Sequence, residues 1–529
     1  MTQLTDKAKN TNVNPWVVMA FIAIPVFVGS LDLTVVSAFL PELLTELDIP
    51  FDTGLDNASW IVTGYLLAYT VSLTFMGRLS DLIGRRGVYV ACLITFIVGS
   101  IIVAVAHQAP TDWLYGMYRR MGERPDPAMV NLQVIIFGRV VQALGAGALV
   151  PVSLALVGDL FPPDKRARPL GLVGAIDTLG WVLGHLYGGI FVQVMPWQGL
   201  FWMNVPLTLF ALGAVLWALR GVPQMKVNGR FDFIGTALII GALTCLNVGL
   251  GANLEFSSAG SFEDLSPLPD YAFPVLTAGV IFFLGFLLVE SRVKDPLINL
   301  GMFKRKDFAL AGTVNLFVGY ALFIGLVSVP ILVNIRQENL ESLREAALQV
   351  GLLLSTLTVP MALAAVPGGW LSDRIGIRNT VVGGVFLSLL GFVAIWQTWQ
   401  LDTPDTIIAL EMAVVGIGIG LTFSPVSAAM INSATESERG VASALVIILR
   451  LVGMTVSVSS LTTYGLYRVN QLAILAQQQP DFNTSEFINI YADSTVQVLG
   501  EMGLIGAVVC GIALLPALFL SRQVEIPEG

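Results

Sequence analysis

Long apolar stretches and short polar turns alternate along the whole chain. Fourteen stretches stand out, at 16–40, 58–78, 88–107, 132–159, 169–194, 200–220, 233–252, 272–291, 308–333, 346–370, 379–399, 405–432, 440–466 and 497–521. A helix needs about 20 mostly apolar residues to cross a hydrocarbon core. Inside lipid a segment must satisfy its own backbone hydrogen bonds, so each stretch is expected to be a helix. The pattern predicts an all-α membrane protein with fourteen transmembrane helices. The first stretch, Trp16 to Leu40, is too long for the core of a cleaved signal and carries Asp32.

One polar turn occurs twice. Residues 77–86 read Gly-Arg-Leu-Ser-Asp-Leu-Ile-Gly-Arg-Arg, and residues 369–378 read Gly-Trp-Leu-Ser-Asp-Arg-Ile-Gly-Ile-Arg. The copies fall after spans 2 and 10, so the chain reads as two bundles of six helices, 1–220 and 297–529, around an inserted pair at 221–296. Twenty of the 28 Lys and Arg residues fall on the side that holds both copies and both termini. Basic residues mark the cytoplasmic face, so both termini are expected there, in a multi-pass protein of the plasma (inner) membrane. Two loops on the outer side are long. Residues 108–131 read as polar loop. Residues 467–496 begin without a helix breaker, so they read either as a helical continuation of span 13 beyond the membrane or as an ordinary polar loop.

Composition narrows the class. The chain is 55% hydrophobic and 12% charged, with a mean hydropathy of +0.77; soluble proteins carry about 25% charged residues. The three cysteines lie inside apolar stretches and suggest neither disulfide nor metal site. No Gly-Lys pair occurs, hence no P-loop. The expectation is a transporter, not an enzyme, with no cofactor and no nucleic-acid partner, driven by a proton gradient. A membrane sensor or scaffold on the same fold is the reading from another class.

Ionisable residues deep in a span are costly, by roughly 2.5–3.5 kcal/mol on insertion scales, and are functional candidates by default. Four qualify: Asp32, Arg139, Asp177 and Arg450. Burial favours a neutral carboxyl and a nearby arginine favours the ionised form. A carboxylate whose arginine moves away therefore takes up a proton, which is the minimum for proton coupling. A static buried pair that fixes helix packing is the other reading, and the one favoured for Arg139. In the repeated turn, Asp81, Arg85, Arg86, Asp373 and Arg378 suggest a latch in which an acidic side chain caps a neighbouring helix in one state only; topogenic charge alone is the alternative. Gly84 and Gly376 sit where a tight turn favours glycine. Tyr65, Tyr69, Trp181, His185, Phe323 and Phe423, with Trp60, are candidates to line a substrate cavity; a proton path and a satisfied core histidine are the other readings of His185, which lies mid-span. Glu411 and Asp159 lie near span ends and are expected to reach interfacial water.

These residues carry a family likeness. The turn at 77–86 and the phrase Arg139-Val-Val-Gln142-Ala-Leu-Gly145-Ala-Gly147 resemble motifs of the major facilitator superfamily. Leu31-Asp32-Leu33-Thr34-Val35-Val36 before Leu40-Pro41, Trp202-Met-Asn204-Val-Pro206 and Asp295-Pro-Leu-Ile resemble its fourteen-span drug:proton antiporter branch. That branch's span-5 motif ends Gly-Pro-x-x-Gly-Gly; here His185 stands in place of the proline, which bears on the bend of span 5. Within the branch, Trp60-Ile-Val-Thr-Gly-Tyr65-Leu-Leu, Asp270-Tyr271, Ala442-Ser-Ala and Gly465-Leu-Tyr-Arg-Val-Asn470-Gln are similar to mycobacterial exporters of triacylglycerides. The resemblance implies roles for Asp32, Asp177 and Arg450 in transport, lipid or lipid-like substrates, and a lipid-binding lipoprotein as partner outside the membrane. Multidrug export of hydrophobic cations is the alternative. A monomer is expected.

Overall fold

The computed structural model describes residues 14–35, 43, 46–47, 60–191, 195–222, 229–250, 271–336, 343–477 and 487–523; within these, the side chains of 34, 164, 182, 185–190, 343–348, 476–477 and 487–489 lie outside the description. The helices in chain order are α1 Pro15–Thr34, α2 Trp60–Ile83, α3 Arg85–Ala104, α4 Ala109–Arg120, α5 Pro127–Ala146, α6 Leu149–Leu160, α7 Ala167–Phe191, α8 Gln198–Ala218, α9 Phe233–Gly249, α10 Ala272–Glu290, α11 Lys306–Ile335, α12 Leu343–Ile375, α13 Ile377–Thr398, α14 Asp405–Asn432, α15 Arg439–Gln477 and α16 Phe487–Leu518. Among the described residues there is no strand.

Twelve helical segments in the described residues are long and apolar enough to cross a membrane, α5 and α6 together forming one of them. Fourteen were expected. α9 is apolar but shorter. α7, which contains Asp177 and side chains outside the description, is not among the twelve.

Local chemistry starts several helices. Asn14 and Asp126 each accept a hydrogen bond from a backbone N–H two residues on, ahead of a proline at the first helical position. The expected loop at 108–131 holds α4. Pro110 and Asp112 lie in its first turn and Arg119 and Arg120 in its last, each charge matching its end of the helix dipole. α15 continues to Gln477.

The packing repeats. α1 packs on α7 and α8, α2 on α5, and α3 on α5 and α8. Likewise α11 packs on α15 and α16, α12 on α14, and α13 on α14 and α16. Mapping α1, α2, α3, α5–α6, α7 and α8 onto α11 to α16 in order carries every contact of the first set onto one of the second. The contacts between the sets obey the same mapping: α2 meets α15 and α12 meets α7, and likewise α6 meets α15 and α14 meets α7. The inserted helices α9 and α10 pack on each other, and α9 lies along α2. Thr455 of α15 donates to Asn247 of α9 at 3.3 Å. The insert therefore sits beside the α2–α15 seam. Its outer helix α10 turns Phe273, Ile281, Leu284 and Leu288 outward.

Candidate functional site

Asp32 is fully buried near the end of α1 and is matched by three donors from two helices. Arg139 Nη1 lies 2.7 Å from its Oδ2, while Gln142 Nε2 (2.9 Å) and Asn204 Nδ2 (2.6 Å) donate to Oδ1. Arg139 also donates to Gln142 Oε1 at 2.7 Å, and Gln142 donates on to Ser100 Oγ. The guanidinium stacks 4.0 Å over the Tyr65 ring. Gln142 sits one helical turn after Arg139, so α5 presents both to α1 on one face. The set is a buried network within the first half. Breaking such a pair leaves an uncompensated charge.

Asp177 and Arg450 behave differently. Asp177 accepts from Ser30 Oγ at 2.5 Å, which ties α7 to α1. Arg450, on α15 in the other half, lies 3.8 Å over the Phe423 ring and 3.4 Å from Asn315 Oδ1. Arg450 is near enough for its charge to act on Asp177, but no ion pair within 4 Å joins them. α7 maps onto α15 in the repeat, so this acid and this base stand at corresponding depths of equivalent helices.

The repeated turns meet the opposite half at one end of the bundle. Gly84 (φ 105°) and Gly376 (φ 91°) both adopt a backbone conformation that side chains disfavour. Asp81 is 2.6 Å from Arg85 Nη2. It also abuts the first turn of α15: a methyl added to Gly440 would lie 2.7 Å from Asp81 Oδ1. A carboxylate suits that positive helix end. Asp159 joins the cluster, 3.2 Å from Arg85 Nε and 3.3 Å from Arg439 Nη1. In the second copy, Asp373 takes Arg168 of α7 at 2.8 Å. Arg166 donates to Asn432 Oδ1 at 2.8 Å, and Ser424 donates to the Ala167 carbonyl. Backbones touch here too: a methyl on Gly369 would lie 2.7 Å from the Ala167 carbonyl oxygen, and one on Gly77 would strike the Gly440 carbonyl. Arg86 is half-buried, whereas Arg378 is exposed and makes no ion pair among the described residues.

Of the aromatic candidates, Tyr65, Tyr69, Phe323 and Phe423 are buried and Trp181 is half-buried. Tyr65 and Tyr69 stack at 6.3 Å, while Trp60 is exposed. The His185 side chain and the Leu40-Pro41 phrase lie outside the described residues. A cavity of about 650 Å³ opens instead at the far ends of α13 and α16, lined by Trp396, Trp399, Asp402, Asp493 and Glu501 among others. Two expectations need correction. Asp159 is not an interfacial acid, because two arginines enclose it. Glu411 is buried and accepts from Thr398 Oγ1 (2.6 Å) and Trp399 Nε1 (2.8 Å). The residues not anticipated as site members are Gln142, Asn204, Ser30, Asn315, Arg166, Arg168, Asn432 and Arg439. The first two lie within phrases already singled out, Arg139-Val-Val-Gln142 and Trp202-Met-Asn204.

Two repeated helix sets, clasped at one end, with an acid and a base buried within the first and a half-buried acid and base opposed between them, define a membrane transporter. The chain belongs to the Major Facilitator Superfamily, whose model matches residues 22–458, and it is a transporter, not an enzyme. It is 32% identical to the triacylglyceride transporter of Mycobacteroides abscessus, over 87% of this chain and 84% of that one. It is 30% identical to the triacylglyceride transporter of Mycolicibacterium smegmatis, over 96% and 87%. Among solved structures, the proton:xylose symporter XylE matches with a TM-score of 0.58 at 13% identity, covering 96% of each chain. The human organic anion transporter MFSD10 matches with 0.56 at 15%, covering 94% of this chain and 99% of that one. The last two establish the fold alone.

Proposed function

We propose that this protein is a proton-coupled exporter of lipids or lipid-like hydrophobic compounds, triacylglycerides among them, working by alternating access. The observation that carries the substrate class is charge balance. Asp32 is matched by Arg139, and Asp177 is opposed by Arg450. No uncompensated carboxylate is left among these deep groups to hold an organic cation, whereas a neutral acyl chain needs none. The names of the similar mycobacterial proteins point the same way.

Coupling is assigned to Asp177. A proton on it removes its attraction to Arg450, so protonation and the relation of the two halves are linked. The structure is clasped at the end bearing Asp81 and Asp373, the proposed cytoplasmic face, which makes the state closed to the inside. In this reading α7 and α9 are spans as well, giving fourteen, with both termini inside and the protein in the plasma membrane. α15 then projects outward, a position suited to handing lipid to an extracytoplasmic lipoprotein.

The test is efflux from proteoliposomes under an imposed pH gradient, with a labelled triacylglyceride and a fluorescent organic cation offered together. Lipid movement that collapses with the gradient supports the reading. Movement of the cation alone makes this a multidrug antiporter, and movement of neither favours a sensor or scaffold.

A further inference from the structure

The inserted pair carries a second set of buried acids that none of the central chemistry uses. Asp232, 9% exposed, caps α9: its Oδ1 accepts from the N–H groups of Ile234 (3.0 Å) and Gly235 (2.9 Å). Glu290, 4% exposed, ends α10, and its Oε1 accepts from the N–H groups of Leu297 (3.1 Å) and Ile298 (3.4 Å). The two carboxyls converge. A methyl on Gly235 would lie 2.8 Å from Glu290 Oε1 and closer still to Asp232 Oδ2. Asp232 Oδ2 and Glu290 Oε2 are both buried without a hydrogen-bond partner.

Two adjoining buried carboxyls with orphaned oxygens cannot both stay ionised cheaply. The charged groups around them do not resolve this. From α2, Arg78 faces them, also buried and with Nε unpartnered. Its guanidinium and the Asp295 carboxyl both border Gly229, so this one cation stands among three acids. Arg230, Arg292 and Lys294 of the adjoining loops are exposed. A metal ion finds too few oxygens, because two of the four are already committed to backbone N–H groups. A proton on either orphaned oxygen removes one of the two charges.

We propose that Asp232 and Glu290 together bind one proton, and that this proton holds the loop after α10 in place. That loop reaches the clasp. Beside Ile298, Asn299 Nδ2 donates to Glu438 Oε1 at 2.7 Å, and Glu438 also takes Arg305 at 2.7 Å. Glu438 precedes Arg439, which crosses to Asp159. When the proton leaves, the carboxylates repel. Asp232 is pinned as a cap, so Glu290, on the longer side chain with longer hydrogen bonds, is the one displaced. Leu297 and Ile298 then lose their acceptor. The inserted pair thus acts as a proton-sensitive tie on the inner end of the α2–α15 seam, separate from Asp177.

The test uses the full-length protein in liposomes. Infrared difference spectra through a pH titration report the protonated carboxyl C=O band of the wild type, Asp232→Asn and Glu290→Gln. Asn is itself a good helix cap, so the first variant keeps α9 intact. A band that titrates in the wild type and is lost in each single variant supports the shared proton. A band unchanged in either variant overturns it. Spin-label distances between the inner ends of α2 and α15, followed over the same pH range, test the tie. The wild type is expected to loosen as the band disappears, and the Asp232→Asn/Glu290→Gln double variant to stay fixed. A wild-type distance that ignores the titration rejects the tie. Neither readout depends on transport, so the outcome is independent of the substrate and of Asp177.

Discussion

Arg439, at the first residue of α15, reaches across the seam to Asp159 at the end of α6, 3.3 Å away. Its repeat-mate Arg166 reaches Asn432 in the mirror-related contact. The spacing in sequence is the same, 159 to 166 and 432 to 439. One contact is therefore an ion pair and the other is carried by an amide, so the two halves of the clasp are unequal.

That inequality is testable. Arg439 and Asp159 are nearly buried, and removing one partner of such a pair costs about 3–5 kcal/mol. Arg168–Asp373 has a half-exposed arginine and is worth about 0–1 kcal/mol. Arg439→Ala should release the inner ends, raising labelling of a cysteine placed in the seam, whereas Arg168→Ala should change it little. Equal labelling in both would reject the ranking.

The Asp32 network predicts a split between stability and turnover. Arg139→Ala leaves a buried carboxylate without its cation and should lower the melting temperature in detergent. Asp32→Asn keeps the shape and the contacts to Gln142 and Asn204 but strands Arg139; folding is expected to survive and efflux to be lost. Full efflux by Asp32→Asn would leave Asp32 with a packing role alone.

Asp177→Asn and Arg450→Ala should each abolish gradient-driven efflux with little thermal penalty. No ion pair joins the two, so neither change breaks one. Substrate counterflow without a gradient separates the roles: Asp177→Asn should retain it if the residue serves only the proton. Loss of both activities together with a large drop in melting temperature would point to a packing role instead.

The glycine turns give a purely structural prediction. Gly84 has φ 105° and ψ 141°, and Gly376 has φ 91° and ψ 157°, a region essentially reserved for glycine. Gly84→Ala and Gly376→Ala should each cost about 1–3 kcal/mol. At Gly376 the added methyl would also meet the Arg522 carbonyl oxygen at 2.9 Å, so the second change should be the worse, read from thermal melts of both variants.

Much of this was legible in the chain itself. Apolar run length gives the helices, and the repeated turn gives the two glycine corners. The four deep charges announce themselves by cost. What hydropathy cannot supply is pairing over long separations. Asp32 meets Gln142 and Asn204 only because α5 and α8 converge on α1. Asp159 reads as interfacial because it ends a span; the Gly84 turn brings Arg85 over it and the Thr435–Glu438 capping box before α15 brings Arg439, which no apolar pattern encodes. α4 is hidden in the sequence because its apolar positions are too few to form a run that hydropathy detects.

The seam at Gly77, Gly440, Gly369 and Ala167 is one of backbone against backbone. Side chains that interlock must surrender rotamer freedom on closing and recover it on opening. Bare carbonyls and glycines do neither. The two halves can part and rejoin there with little internal friction and little gain in contact energy, which leaves a few charges and protons to decide which way the molecule faces.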